Sequence, residues 1–383
     1  MLKETDKVTR QTRPLSRKSR MLCSARQSGL TLIELMVSLV LGLVLVGGVL
    51  NIFVSNRETY RVNENLTRMQ ENARTGFDFM ARDLREAGQN PCGTKLVANL
   101  IRKASAIPWW ADWNKGTVIG VDGSQNRADI VAFGTGTNAR VAGTDAVLVI
   151  RAGQDEKIVT AHNPGTFDIT LGAVTGLAAD DVVMACDLKN AAIFQIGTVD
   201  TLAKTIKYDS NFANLNCTGA KLGFPAPVSC LSLVDKTLDA GGMLSKLITS
   251  FWYVGIGTGG KRSLYRTRII LKTISGVPTV TTEPEEMITG VQDLQIKYLT
   301  RNISTGTLAT DWVDAASSAS FVGATVSVTG NWQINDTATQ PSQASAARIT
   351  MTLQSEDNIG TNQLPIQRQL IHVVGLRSRN SSL

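Results

Sequence analysis

The 383-residue chain is poor in the residues that usually build active sites. It has only two histidines, His162 and His372, far apart in sequence, and no Cys-x-x-Cys pair. The ligand spacing of a structural zinc site is therefore missing, and neither imidazole has the neighbours for a Ser/His/Asp or Cys/His triad. Aromatic residues make up just 5% of the chain. Proline is absent from residues 30–90, so nothing there stops a continuous helix. An excess of one charge is missing too, once position is considered. Residues 1–29 hold eight Lys/Arg and two Asp/Glu, leaving 31 and 30 for the rest, so the formal +7 falls to +1 beyond residue 29. Such a balance gives no electrostatic case for nucleic acid as a partner.

Long apolar runs are missing as well, with one exception. From Leu35 to Val54 the clearly polar residues are Ser38 and Asn51. That length matches the ~20 residues a helix needs to cross a bilayer. The basic residues ahead of it hold the N-terminus in the cytoplasm and send everything beyond about Ser55 to the periplasm or the cell exterior. A secretory signal is cut after its apolar region, at a small-residue site. Here the small residue, Gly29, precedes the run, so cleavage there leaves the helix on the mature chain. Cys23 does not read as a lipoprotein site, because Arg20 lies close before it and no apolar stretch lies upstream. Met21 offers an alternative start, giving a shorter leader, Met21–Gly29. Glu34 stands at the edge of the run, where a carboxylate is costly and by default has a partner and a function.

Ser28-Gly29-Leu30-Thr31-Leu32-Ile33-Glu34-Leu35, followed by the apolar helix, resembles the cleavage and methylation motif of type IV pilins and type II secretion pseudopilins. The resemblance implies a membrane peptidase cutting between Gly29 and Leu30, and N-methylation of Leu30. It further implies that Glu34 meets the N-terminal amine of a neighbouring subunit, fixing the axial register of bundled helices. Physical reasoning agrees, since a carboxylate buried without a cation in an apolar bundle is strongly disfavoured.

Leaving Cys23 aside with the leader, Cys92, Cys186, Cys217 and Cys230 remain. An even number in an oxidising compartment points to two disulfides, with three possible pairings. Cys217 and Cys230 flank a loop-like stretch with two prolines and make the favoured local pair; Cys92 with Cys186 follows by elimination.

Val62, Leu66, Met69, Ala73, Phe77, Met80 and Leu84 recur at spacings of three and four, one apolar helix face. One helix is expected from Leu30 to Ala87, on the order of 85 Å long. Gly88 and Pro91 end it, and Gly47-Gly48 weakens it midway. Beyond Asn90 the pattern turns to strands: 128–133, 146–151, 181–185, 193–199, 247–256, 263–272, 291–300, 348–354 and 367–374. Residues 303–343, rich in Ala, Thr and Ser, are expected to include long loops. The expected class is α+β: a long N-terminal helix packed on a large β-rich head. Its divisions are a leader (1–29), a membrane or filament-core segment (30–54), an amphipathic continuation (55–88) and the head (89–383).

Other motifs are weaker. Gly255 to Lys261 has the spacing of a phosphate-binding loop, but Arg262 stands where Ser or Thr is needed and strand-like runs flank it, so a hairpin turn is expected. Trp109, Trp110 and Trp113 read as packing against the helix or a neighbouring subunit, and Glu283-Pro284-Glu285-Glu286 as a solvated acidic turn. No catalytic site, metal or cofactor is expected.

In the head, Ala87-Gly88 through Cys92-Gly93, 144–151, 181–195, Trp252-Tyr253, 263–266, 290–294 and 348–353 resemble, in order, the PilW family of minor pilins. The resemblance implies a minor pilin that helps initiate type IV pilus assembly, at or near the filament tip. The implied partners are other minor pilins, the major pilin, the prepilin peptidase, the inner-membrane assembly platform and a tip adhesin. A J-type pseudopilin of a type II secretion system is the alternative.

Overall fold

A computed structural model describes residues 31–93, 97–101, 108–113, 116–209, 215–217, 222, 236–274, 277–302, 305–315, 342–360 and 364–376. The chain divides into two compact units, Met1–Thr59 and Tyr60–Leu383. Helix α1 (Leu32–Glu86) begins in the first and ends in the second. In the first unit it runs unbroken through Gly47-Gly48, and every residue from Leu32 to Val54 is exposed. A helix apolar all round its circumference belongs in lipid or in a helix bundle.

In the second unit α1 becomes one-sided. Met69, Ala73, Phe77, Met80 and Leu84 are buried, while Val62 and Leu66 are half-buried. The helix stops where glycine permits: Gly88 takes a φ of 73°, and its N–H donates to Ile150 O at 3.0 Å.

The strands follow in groups. First come β1 (Val97–Asn99), β2 (Val118–Val121), β3 (Ala146–Ala152), β4 (Lys157–Asn163) and β5 (Asp168–Leu171). Then come β6 (Val182–Cys186), β7 (Ala191–Gln195), β8 (Thr198–Asp200) and β9 (Thr205–Lys207). The longer strands are β10 (Met243–Ile256), β11 (Arg262–Ile274), β12 (Val277–Thr289) and β13 (Val291–Asn302). β14 (Leu308–Asp314), β15 (Ser342–Gln354) and β16 (Gln367–Gly375) complete the set. The first twelve strands share one sheet, and the last four form a second, antiparallel sheet ordered β14-β13-β15-β16.

β10 joins two parts of the larger sheet. Its first residues, Met243–Lys246, pair with β6 and β4, whereas Leu247–Ile256 pair with β3 and β11. Ala152, the last residue of β3, lies opposite Leu247. The chain thus leaves this part of the sheet beside the point where it returns, and β4–β9 form a lobe in between.

Two main cores result. In one, the buried face of α1 packs with Trp252, Leu264 and Ile288 of the larger sheet and with Ile296, Ile349 and Met351 of the smaller. Each large apolar side chain so buried contributes roughly 1.5–3 kcal/mol, so docking of the helix rests chiefly on this stripe. Gly76 marks close approach: a Cβ there would meet side-chain carbons of Ile288, Leu264 and Met351, each at 3.4 Å. The other core, with Val159, Ile169, Phe194 and Tyr208, belongs to the lobe.

Several sequence expectations need correction. Residues 128–133 form a turn held by isolated bridges, because Ile130 and Val131 N–H both donate to Arg127 O and close the chain locally. The 193–199 run is split between β7 and β8. Glu283–Glu286 is not a turn but part of β12, paired with β11 alone. An edge strand tolerates Pro284, and Glu285 is met by Arg266 and Arg268, each at 2.8 Å. The 303–343 stretch, expected to include long loops, also holds β14, and its residues 303–304 and 316–341 lie outside the described ones, so that expectation stands as it was. The tryptophans pack neither on the helix nor outward. Trp110 and Trp113, 6% and 4% exposed, sit with Val97, Ile101, Met184 and Ile193 in a third cluster, and Trp109 packs at its margin.

Candidate functional site

The N-terminal segment begins to be described at Thr31, so Gly29 and Leu30 lie outside the described residues. Glu34 lies in the first turn of α1, which opens with a reciprocal cap. Thr31 N–H and Oγ1 donate to Glu34 Oε2 at 3.1 and 3.0 Å, while Glu34 N–H donates to Thr31 Oγ1 at 3.3 Å. This is the Thr-x-x-Glu capping box, which satisfies orphan donors at a helix start. The Thr-x-x-Glu spacing is present in the sequence, four residues long, but there Glu34 stands out only as a costly carboxylate at the edge of the apolar run. Ser38 Oγ donates to Glu34 O at 2.6 Å, so this hydroxyl too is satisfied within the helix itself.

Where α1 meets the sheets, polar chemistry supplements the apolar stripe. Asp83 is 3% exposed; its Oδ2 accepts from Trp252 Nε1 at 2.9 Å and its Oδ1 lies 3.4 Å from Arg151 Nη2. Arg151 also reaches Glu86 at 3.0 Å, and Gln154 Nε2 donates to Glu86 at 2.8 Å. A helix acid, a β10 indole and a β3 guanidinium thus share one buried network. Nearer the start of the unit, Asn65 Nδ2 donates to Asp357 Oδ2 at 3.2 Å. Asn65, Asp83 and Glu86 are not flagged by periodicity, because the helical pattern is traced by apolar side chains alone, although Asn65 and Asp83 share the buried face.

Cys92 and Cys186 form a disulfide across a sequence separation of 94, tying the segment after α1 to β6. Cys217 is buried and also disulfide-bonded, whereas Cys230 lies outside the described residues. The Gly255–Lys261 segment is the β10–β11 hairpin, closed by Gly257 N–H to Lys261 O at 2.7 Å, with Gly260 at a φ of 74°. It opens no helix, so it has no phosphate-facing N-terminus.

Both histidines have structural surroundings. His162 Nδ1 accepts from Leu238 N–H at 2.9 Å, and Nε2 is 2.7 Å from Tyr208 Oη. Burial pushes its pKa down to about 4, so it is neutral at pH 7. His372 stacks on Phe77 at 5.4 Å between ring centroids. Asp145 is buried and accepts from Ile296 N–H at 2.8 Å and Gly123 N–H at 2.9 Å, stitching β13 to the turn after β2. Desolvation outweighs these bonds and raises its pKa to about 6. Arg140, fully buried, spends its guanidinium on the carbonyls of Gln125, Asp122 and Thr144. Among the described residues no group of three or more His, Cys, Asp or Glu could hold a metal ion. A polar cleft of about 600 Å³ lies between α1 and the β10–β11 hairpin. Its charged side chains already have partners: Arg68 reaches Glu356 at 3.9 Å, Lys261 Nζ and Arg262 Nη1 donate to the carbonyls of Glu356 and Gln292 at 3.4 and 2.9 Å, and Glu286 accepts from Ser263 Oγ at 2.6 Å.

Residues 24–50 match the prokaryotic N-terminal methylation motif. This prepilin-type motif supports a type IV pilin-like protein, of a pilus or a pseudopilus, and pilin-motif proteins are in general structural rather than enzymatic. Together with the apolar helix it fits a single-pass inner-membrane anchor before assembly. No curated protein and no solved structure matches the chain.

Proposed function

We propose that the chain is a minor pilin of the PilW kind that helps initiate assembly of a type IV pilus, at or near the filament tip. The observation that carries this reading is the methylation motif at residues 24–50, set at the start of a helix whose far end is built into a large β-rich head. In this reading the prepilin peptidase cuts between Gly29 and Leu30, and the new amine of Leu30 is methylated and keeps its charge. Glu34 then exchanges its capping bonds with Thr31 for the amine of a neighbouring subunit at matching depth. The pair sets register more than it adds stability. Residues 30–54 cross the membrane before assembly and enter the filament core afterwards, while the head contacts other minor pilins and a tip adhesin.

Deleting the gene tests this reading. Surface pili and twitching motility should fall while the major pilin remains in the membrane. Glu34→Ala should impair incorporation with the head's melting temperature unchanged. Normal piliation combined with lost secretion of folded exoproteins would overturn the minor-pilin reading in favour of the J-type pseudopilin.

A further inference from the structure

We propose that β16 is a docking edge that receives an extended, neutral-to-acidic strand from the head of a neighbouring, non-identical pilin-like subunit; the proposal rests on the pilin reading above. β16 pairs with β15 alone among the described residues. Its register shows which backbone groups are left over. Leu376 N–H donates to Ser345 O, and Ser355 N–H to Ile366 O, both at 2.8 Å, and both pairs extend the β15–β16 register. In an antiparallel ladder such bonded pairs recur at every second residue. Arg368, Leu370, His372 and Val374 therefore turn their N–H and C=O groups towards β15. Gln369, Ile371 and Val373 turn theirs away, to the open edge. A row of outward amide donors and acceptors at this spacing is complementary to another extended polypeptide.

The side chains agree with the backbone. Ile371 and Val373 are 62% and 53% exposed, at i and i+2 on one face. β-branched residues there favour a cross-strand partner of the same kind. Other edges of the head carry protective devices. β12 contains Pro284 between glutamates, β14 is short, interrupted by a register shift and carries Asp311 and Asp314, and β1 and β8 have three residues each. Nine-residue β16 has no proline and no bulge, and its single Lys/Arg/Asp/Glu residue, Arg368, is exposed near its start, so it lacks most of the features that otherwise keep edges from pairing. An edge left this open is suited to being covered in the assembled state.

Charge selects among occupants. Neither β15 nor β16 contains Asp or Glu. Arg348 lies opposite Val373 in the register, and exposed Arg368 is on the edge strand itself. A second copy would bring this positive set against itself, whereas a neutral or acidic strand would be attracted.

The test is photo-crosslinking of the full chain carrying Val373→p-benzoylphenylalanine. It is run in the membranes of its own host and in a heterologous bacterium given only a prepilin peptidase. The native host should yield an adduct with a second protein that itself has a prepilin motif, the cross-linked peptide mapping by mass spectrometry to a neutral or acidic strand. The heterologous host should yield none. Ile371→Pro removes one outward N–H without touching the β15 ladder, and should lower the adduct at least about tenfold. Should the proline variant misfold, Ile371→Asp combined with Val373→Asp, read with the photoprobe moved to Gln369, replaces it. A homodimer in the heterologous host, a link to residues 316–341 of the same chain, no adduct, or a yield indifferent to both variants would each overturn the proposal. Loss of piliation on gene deletion without any adduct would remove this proposal alone. An adduct with a pseudopilin in a strain that keeps its pili would remove only the pilus reading.

Discussion

Replacing Asp83 by alanine should loosen the grip of the head on its helix by an amount the structure lets one work out. The carboxylate is 3% exposed and holds two partners, Trp252 Nε1 at 2.9 Å and Arg151 at 3.4 Å. Alanine strands the indole donor in a fully buried position, at ~1–3 kcal/mol. It also leaves Arg151 with Glu86 as its one carboxylate contact, and breaking a buried charge pair reaches ~3–5 kcal/mol when no other partner remains. Because Glu86 stays at 3.0 Å, Arg151 keeps a partner and this loss falls below that range, at about 1 kcal/mol. A total near ~3 kcal/mol corresponds to a fall in melting temperature of roughly 5–10 °C for a head of this size. Differential scanning calorimetry of the mature chain in detergent reads it directly. Trp252→Phe keeps the ring and deletes the donor, so the double variant should be less destabilised than the sum of the singles by about 1 kcal/mol or more in urea unfolding. Additive effects, or an Asp83→Ala chain that melts within a degree of the parent, would refute the network as a stabilising contact.

Asp145, with its pKa raised to about 6, should make the head less stable as pH rises from about 4 to 6, because the folded state then holds a proton that the unfolded chain has released. Asp145→Asn should remove that term, on the order of 2–3 kcal/mol, and equal pH slopes in urea melts of the two proteins would contradict it. The Cys92–Cys186 bridge closes a long loop, so Cys92→Ser with Cys186→Ser should cost ~2–5 kcal/mol. Thiol titration of the unfolded, unreduced mature chain should find essentially no free thiol; four reactive thiols would defeat the oxidised reading. Gly29 replaced by a bulky residue should leave the leader attached, whereas the parent should give a mass starting at methylated Leu30. A mature terminus beyond Val54 would instead mark a secretory signal.

The helix was the most legible element, because a 3.6-residue period over Met69–Leu84 with no proline leaves little else to build. Long strands were legible for a similar reason: β10, β11, β13 and β16 alternate or carry β-branched runs long enough to stand out. Short ones were not. β8 and β9, three residues each, carry too few side chains to show a period, and β12 was concealed by a proline and glutamates whose partners lie on another strand. At the N-terminus, order along the chain reveals the motif. The Asp83 network and the open edge of β16 arise from pairing across 169 residues in one case and from strand order in the other, neither of which is written locally.

The return of the chain at Leu247 beside its departure at Ala152 has a consequence for how such a head can vary. Every residue of the core that grips α1 lies outside 153–246, and the lobe has a second hydrophobic interior, to which only Ala98 and Leu100 are added from outside the excursion. The excursion is therefore a cassette hung on this junction and moored along one side by β1 and the Cys92–Cys186 bridge. Outside β6 and β7, its length and surface can be exchanged between Ala152 and Leu247 while the helix-binding wall keeps its shape, which separates what the subunit displays from how it is held.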